Sequence, residues 1–294
     1  MSSSTYYVPE QSRWPILASL ALFLLAYGAG TLMNAVSAQQ GGGLGLALLL
    51  SGVLMMGFIL VGWFSHVIQE SRSGLYSEQM DRSFRWGMSW FIFSEVMFFA
   101  AFFGALFYVR VLVVPWLGGE GEKGVTGMLW PDFVAEWPLL NPPDSARYPG
   151  AEAVISPWHI PLLNTCLLVT SSLTLTLAHK ALLSDRLMSV RRWMTLTIVL
   201  GITFIGFQAY EYVEAYQELG LTLQAGVYGA TFFILTGFHG VHVTLGTLML
   251  MIILGRVVLG HFSSGQHFGF EAVAWYWHFV DVVWIGLFLF VYVL

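Results

Sequence analysis

A carboxyl group in the middle of an apolar helix can hold a hydrogen-bonded partner or take up and release a proton. Glu95 is such a group, set in Phe91-Ile92-Phe93-Ser94-Glu95-Val96-Met97-Phe98-Phe99, ten residues past Arg85. At the helical rise it lies roughly 15 Å from that charged end. An ionised side chain at that depth costs about 2.5 to 3.5 kcal/mol on insertion scales, so Glu95 is expected to face protein, water or a partner. A structural hydrogen bond and a proton-related role stand equally open for it.

Near the C-terminus the pattern repeats. Glu271, Trp275, His278 and Asp281 follow at spacings of four, three and three, which places them on one helix face. Asp281 is again roughly 15 Å from Glu271, and His239 and His242 lie roughly 20 to 25 Å from Arg256 along the preceding helix. Glu271, His278, Asp281, His239 and His242 are expected to meet in one buried polar network. The alternative, ligation of a metal or haem by the three histidines, is weaker. Histidines three apart on one helix cannot supply two opposite axial ligands, no Cys or Met set accompanies them, and interhelical hydrogen bonding explains them with fewer assumptions. No metal site and no catalytic residue are expected. The sequence has no Walker-type phosphate loop, Gly-x-Ser-x-Gly elbow, His-Glu-x-x-His pair or Cys-x-x-Cys pair.

The elements that position these groups follow from composition. Of the 294 residues 57% are hydrophobic and 10% charged, which argues against a soluble fold. A bilayer core needs roughly 20 apolar residues per helix. Seven blocks of that kind run over residues 15–36, 44–66, 84–114, 158–183, 190–212, 225–255 and 270–294. The chain therefore reads as an all-α integral membrane protein with seven transmembrane helices in one domain. Residues 1–14 are polar with one cation and lack a signal-peptide pattern, so the first helix is expected to be retained. Cys166, the sole cysteine, excludes intrachain disulfides and thiolate clusters.

Cations are unevenly shared among the loops. With the N-terminus inside, that face holds Arg13, Arg72, Arg82, Arg85, Lys180, Arg186, Arg191, Arg192 and Arg256, and the other only Arg110, Lys123 and Arg147. This fits a cytoplasmic N-terminus and an outer, periplasmic C-terminus. The long outer loop, 115–157, is rich in Pro, Gly and Trp and carries Glu120, Glu122, Asp132, Glu136, Asp144 and Glu152. No basic patch suits nucleic acid. Gly226, Gly229, Gly237, Gly240 and Thr244 form a small-residue stripe suited to close helix approach. The run from Gln208 to Glu214 reads as an interfacial helix end with a Tyr anchor. Trp63, His66, Glu70, Arg256, His261 and His267 gather at inner helix ends, where lipid-headgroup binding and an ordinary interfacial belt are both open readings.

Several segments together resemble the subunit III family of haem-copper cytochrome c oxidases. They are Gly226-Val227-Tyr228-Gly229-Ala230-Thr231-Phe232-Phe233, Thr236-Gly237-Phe238-His239-Gly240-Val241-His242-Val243, and His267 through Trp284 with Glu271, Trp275, His278 and Asp281. Trp14-Pro15, Gln69-Glu70-Ser71, Ser94-Glu95, Pro161-Leu162-Leu163-Asn164-Thr165 and Gln208-Ala209-Tyr210-Glu211-Tyr212 add to the match, which covers essentially all seven helices. The resemblance implies a subunit whose first two helices splay from the other five to form a V-shaped phospholipid cleft. It implies no redox centre in this chain. Haem a and copper would belong to subunits I and II, which oxidise cytochrome c, reduce oxygen to water and pump protons, while this subunit supports proton uptake, stability and lipid binding. Glu95 matches the family's carbodiimide-reactive carboxyl. Arg256 and His261 match residues near lipid headgroups, with Trp63 and Glu70 beside them. The second helix ends Trp63-Phe64-Ser65-His66, where relatives tend to carry a second Trp and an Arg-Asp pair, and the 115–157 loop is longer than in compact mitochondrial forms. That length points to a bacterial inner membrane. Two competing classes are an autonomous proton-coupled transporter using Glu95 and Asp281, which the lack of internal repeats disfavours, and a membrane haem protein using His239, His242 and His278.

Overall fold

The chain's computed structural model describes residues 11–121 and 124–294. Glu122 and Lys123, counted above among the loop charges, and residues 1–10 of the opening segment lie outside the described residues. Among the described residues the secondary structure is helical and contains no strand. Seven helices are long and apolar enough to cross a membrane. These are α1 (Trp14–Ser37), α2 (Gly43–Arg72), α3 (Glu78–Tyr108), α4 (Ile160–Leu183), α5 (Leu187–Gln217), α6 (Gly226–Val258) and α7 (Phe268–Leu287). A π-helical turn, Val109–Val113, carries α3 on to a short helix at Val114–Leu117, and another, Phe288–Val293, extends α7. The chain is a multi-pass membrane protein.

The helices overrun the hydropathy blocks in a consistent way. α2 continues from His66 to Arg72, α3 begins at Glu78 instead of residue 84, and α5 continues from Tyr212 to Gln217. Hydropathy falls where the chain leaves hydrocarbon, whereas the backbone hydrogen-bond ladder runs on until something stops it. Beyond α2 the stop is Gly74, at φ +70°, where Ser73 N–H donates to Gln69 O and Gly74 N–H to Ser71 O. At the start of α3, Glu78 and Asp81 set negative charge against the helix N-terminus. Hydroxyls on apolar faces are satisfied within their own helix: Thr31 donates to Tyr27 O, Ser51 to Ala47 O and Ser65 to Val61 O. Ser and Thr can therefore face lipid without a bare polar group.

Packing divides the chain into two compact units, Met1–Phe84 and Arg85–Leu294, where the sequence reads most simply as one domain. The first is built on the α1–α2 hairpin. Its helices approach through glycines: a Cβ on Gly28 would stand 2.4 Å from Leu49 N, one on Gly45 2.5 Å from Leu32 N, and one on Gly52 2.8 Å from Leu25 N. Trp14 closes the open end of the hairpin, its indole N–H donating to His66 Nδ1 at 3.2 Å and its ring lying over Gly62.

In the second unit α4 pairs with α5, α5 with α6, α6 with α7, and α7 returns to α4. α7 is the most enclosed span: half of its apolar window is buried. Its Trp277 is fully buried, donates to Ser171 Oγ at 2.9 Å and fills the space over Gly201 and Gly246. The closest approach of another transmembrane helix to an α6 glycine is thus at Gly246, outside the expected stripe, while a Cβ on Gly226 in the stripe would meet Pro142 Cγ at 3.4 Å. A Cβ on Gly240 would meet nothing, one on Gly237 would reach only the Tyr212 hydroxyl at 3.4 Å, and Gly229 faces the preceding turn at Thr222 O. Gly246 on α6 and Gly201 on α5 are the ones the large Trp277 indole enters.

The 115–157 loop packs down on its own unit. Ala151 and Ile155 join the core, Glu152 N–H donates to Leu219 O, and Trp137 sits edge-on to Tyr228 at 5.6 Å with the Arg110 guanidinium on its other ring contact. On the opposite end, Asp185 in the α4–α5 turn accepts from Ser264 N–H and Oγ–H, fixing that turn to the α6–α7 connection.

Candidate functional site

Glu95 on α3 is hydrogen-bonded to an ionisable partner on α6. Its Oε2 lies 2.9 Å from His242 Nε2 on α6, with the carboxyl side chain 21% and the imidazole 14% exposed. The other ring nitrogen, Nδ1, is 2.6 Å from Phe238 O. A carbonyl only accepts, so Nδ1 carries a hydrogen and Nε2 faces the carboxyl with one proton between them. Either a neutral acid donates to a neutral imidazole, or an imidazolium donates to a carboxylate. Both forms are hydrogen-bonded and neither leaves a bare charge in the apolar surroundings of Phe98 and Phe99, whose rings flank the imidazole at 6.0 and 5.1 Å. This geometry serves both readings left open for Glu95, the structural bond and the held proton.

A consequence can be measured. In Glu95→Gln the amide can donate to Nε2 and keep one bond, so yield and thermal midpoint should stay close to those of the unaltered chain. In Glu95→Ala the imidazole loses its partner inside the bilayer, and stability should fall by about 1 to 3 kcal/mol. A Gln variant that unfolds as readily as the Ala variant would show that the charge, and not the bond, matters.

The remaining residues of the expected single network separate into distinct contacts, and among the described residues no hydrogen bond joins any two of them. Glu271 takes a forked bond from Arg85 on α3, with Nη2 to Oε2 at 2.8 Å and Nε to both carboxylate oxygens at 3.0 and 3.2 Å. The same guanidinium lies over the Phe268 ring. His239, fully buried, donates Nε2–H to Val280 O at 3.1 Å, with its ring tilted against Trp284 and edge-on to Phe204. His278 turns to α4, with Nδ1 2.5 Å from Ser172 Oγ and Nε2 3.5 Å from Thr176 Oγ1. Asp281, 8% exposed, lies against that same Ser172. Along α7, Glu271 lies two turns before His278 and turns to α3, whereas His278 and Asp281, one turn apart, share Ser172 on α4. The three histidines therefore point their nitrogens at three different sets of groups.

The residues proposed at headgroup level fall in both units. On α2, Trp63 is 39% exposed and Glu70 accepts from the Tyr76 hydroxyl at 2.7 Å. In the second unit, the Arg256 guanidinium stacks on Phe262 at 4.3 Å, made room for by Gly269, whose Cβ would reach Arg256 Nη1 at 2.9 Å. His261 N–H donates to Arg256 O, and His267 precedes α7 with its ring 5.5 Å from His179.

The run from Gln208 to Glu214 differs from its reading as an interfacial helix end. Tyr210 is 60% exposed, as an anchor would be, but Glu211 is fully buried and accepts from the Tyr292 hydroxyl at 2.5 Å. Tyr212 pairs its hydroxyl with Thr236 at 2.7 Å. The signal available in the sequence was the spacing of Gln208 and Glu211, one helical face repeated at i and i+3. His66 as the acceptor for Trp14, Ser172 as the partner of His278, and Trp277 as the central ring of the bundle had no comparable signal.

Comparison with known proteins gives a match over nearly the whole chain. Residues 4–142 and 146–294 match the family model described as cytochrome c oxidase subunit III. Among curated relatives, the chain is 39% identical over 293 residues to a cytochrome c oxidase subunit 3 of Prototheca wickerhamii, covering 99% of this chain and 98% of that one. It is 37% identical over 288 residues to that of Polypterus ornatipinnis, at 98% and 96% coverage, and 36% identical over 291 residues to that of Pongo abelii, at 99% and 97%.

Proposed function

The chain belongs to the cytochrome c oxidase subunit III family, and from that we propose that it is the third core subunit of a proton-pumping terminal oxidase, holding no redox group itself. The near-complete family match carries the reading. Subunits I and II would bring haem a and copper, accept electrons from cytochrome c and reduce oxygen, and this chain would support their proton uptake and stability. The engagement of His239 by Val280 O, of His242 by Glu95, and of His278 by Ser172 favours histidines used as interhelical bonds. The Glu95–His242 pair, with one proton held between two groups in the membrane, is the feature best suited to a proton-related contribution.

The cation distribution supports a cytoplasmic N-terminus and a periplasmic C-terminus, and the length of the 115–157 loop supports a bacterial inner membrane. Mild-detergent affinity purification of the tagged chain tests the whole reading. Haem-a absorption, a large multi-helix partner and a copper-binding partner are expected in the eluate, and protease applied from the outer face should cut the 115–157 loop. A colourless chain from a membrane whose oxidase stays intact would defeat the assignment and favour an autonomous transporter.

Phospholipid is the ligand proposed for Trp63 and Glu70 on α2 and for Arg256, His261 and His267 at the α6–α7 connection. Arg256 supports this most directly: its Nε is buried with no hydrogen-bond partner among the described residues, at a helix end rich in imidazole. Arg256→Ala should lower the phospholipid retained after purification and shorten the complex's working life during turnover. Unchanged lipid content together with unchanged inactivation would remove the lipid role.

A further inference from the structure

A second set of polar side chains lies inside the α4–α7 bundle, toward the end that carries the 115–157 loop. Gln208 and Glu211 share one face of α5 and are 6% and 0% exposed. Asn164 on α4 is fully buried. The two helices are antiparallel, with the Thr174 and Thr197 hydroxyls 2.8 Å apart. Ten residues back along α4 and eleven forward along α5 from that contact, Asn164 and Gln208 stand level with each other. From α7's terminal turn, Tyr292 donates to Glu211 Oε1 at 2.5 Å, and the Gln208 side chain is a further, longer-range hydrogen-bonding neighbour of both. That bond satisfies one oxygen only. Within 3.5 Å, Asn164 Oδ1 and Nδ2, Gln208 Oε1 and Nε2, and Glu211 Oε2 are buried without a hydrogen-bond partner among the described residues.

Polar atoms sealed inside a membrane bundle are strongly unfavourable unless something pairs them. The chemistry of the five atoms selects the occupant. A metal cation would suit the three oxygens but would face the N–H groups of two amides, which it cannot satisfy. An apolar molecule satisfies none. Water both donates and accepts, and at about three bonds per internal water, about two molecules serve all five atoms.

We propose that Asn164, Gln208 and Glu211 form an internal water site that bonds α4 to α5 and, through the Tyr292 hydroxyl on Glu211, to the end of α7. It stands on the packing of this bundle alone and goes beyond the oxidase assignment. A map of the native complex, at a resolution that shows ordered water, is expected to hold density within hydrogen-bond distance of Asn164 Nδ2, Gln208 Oε1 and Glu211 Oε2. Infrared difference spectra between ordinary and oxygen-isotope-labelled water should show internal O–H stretching bands that Asn164→Leu weakens and Glu211→Gln shifts. The outward-facing Ile202→Val should leave those bands alone. Amides bonded directly to one another and to Glu211 with no density between them would overturn the site, as would bands unmoved in both variants. Where the variants fail to assemble, the map of the unaltered complex decides.

Discussion

Replacing Gly28 by Leu should disrupt the α1–α2 hairpin, while the same change at Gly30, two residues along the same helix, should be silent. The contrast comes from what a side chain would meet. At Gly28 even the first carbon would lie 2.4 Å from Leu49 N and 2.9 Å from Leu48 C, both backbone atoms that cannot swing aside; at Gly30 nothing lies within 4 Å. Helices in lipid gain little from hydrophobic exclusion and associate by close packing of small residues. The Leu must therefore push the helices apart along a contact that Gly45 and Gly52 continue. Forced overpacking costs typically about 1 to 3 kcal/mol and sometimes more. The cost here should lie at the upper end because backbone meets side chain. Protease sensitivity of the 38–42 turn, together with yield of the purified chain, checks it. Equal behaviour of the Gly28 and Gly30 variants would mean that the hairpin tolerates separation.

The second large effect is expected at Trp277. Trp277→Ala removes a ring that is fully buried, fills the space over Gly201 and Gly246, and satisfies Ser171 on α4. Loss of a buried Trp costs about 3 to 5 kcal/mol in cavity and transfer terms, and the glycines on either side have no side chains with which to close the gap. Ser171→Ala should cost less, about 1 kcal/mol, since only the hydrogen bond goes. Trp158→Ala is the control, a Trp that is 65% exposed. The thermal midpoint of the complex should fall far more for Trp277 than for either of the others. A fall no greater than that of Trp158→Ala would show that α7 is held by its other contacts, Trp284 to Thr165 and Tyr292 to Glu211.

Seven spans, the intramembrane position of Glu95 and the family resemblance were all legible in the amino-acid order, because hydropathy and local motifs are properties of contiguous residues. Partners were not. Glu95 finds His242 across 147 positions of sequence, and Arg85 finds Glu271 across 186. A shared helix face puts Glu271, His278 and Asp281 in one line, yet that line is wide enough for α3 to take the first and α4 the second. The phase of α7 about its own axis decides this, and its own sequence does not fix that phase. Glu211 shows the same limit: at a helix end, polar composition reads as solvent contact, and only the return of α7 with Tyr292 makes that end an interior. The stripe on α6 likewise named glycines but left out Gly246, the one on that helix that the Trp277 ring enters. The sequence by itself therefore determined the membrane-spanning elements and their family. The tertiary structure decided which polar group satisfies which, since in a bilayer that choice depends on the register and rotation of helices distant in the chain.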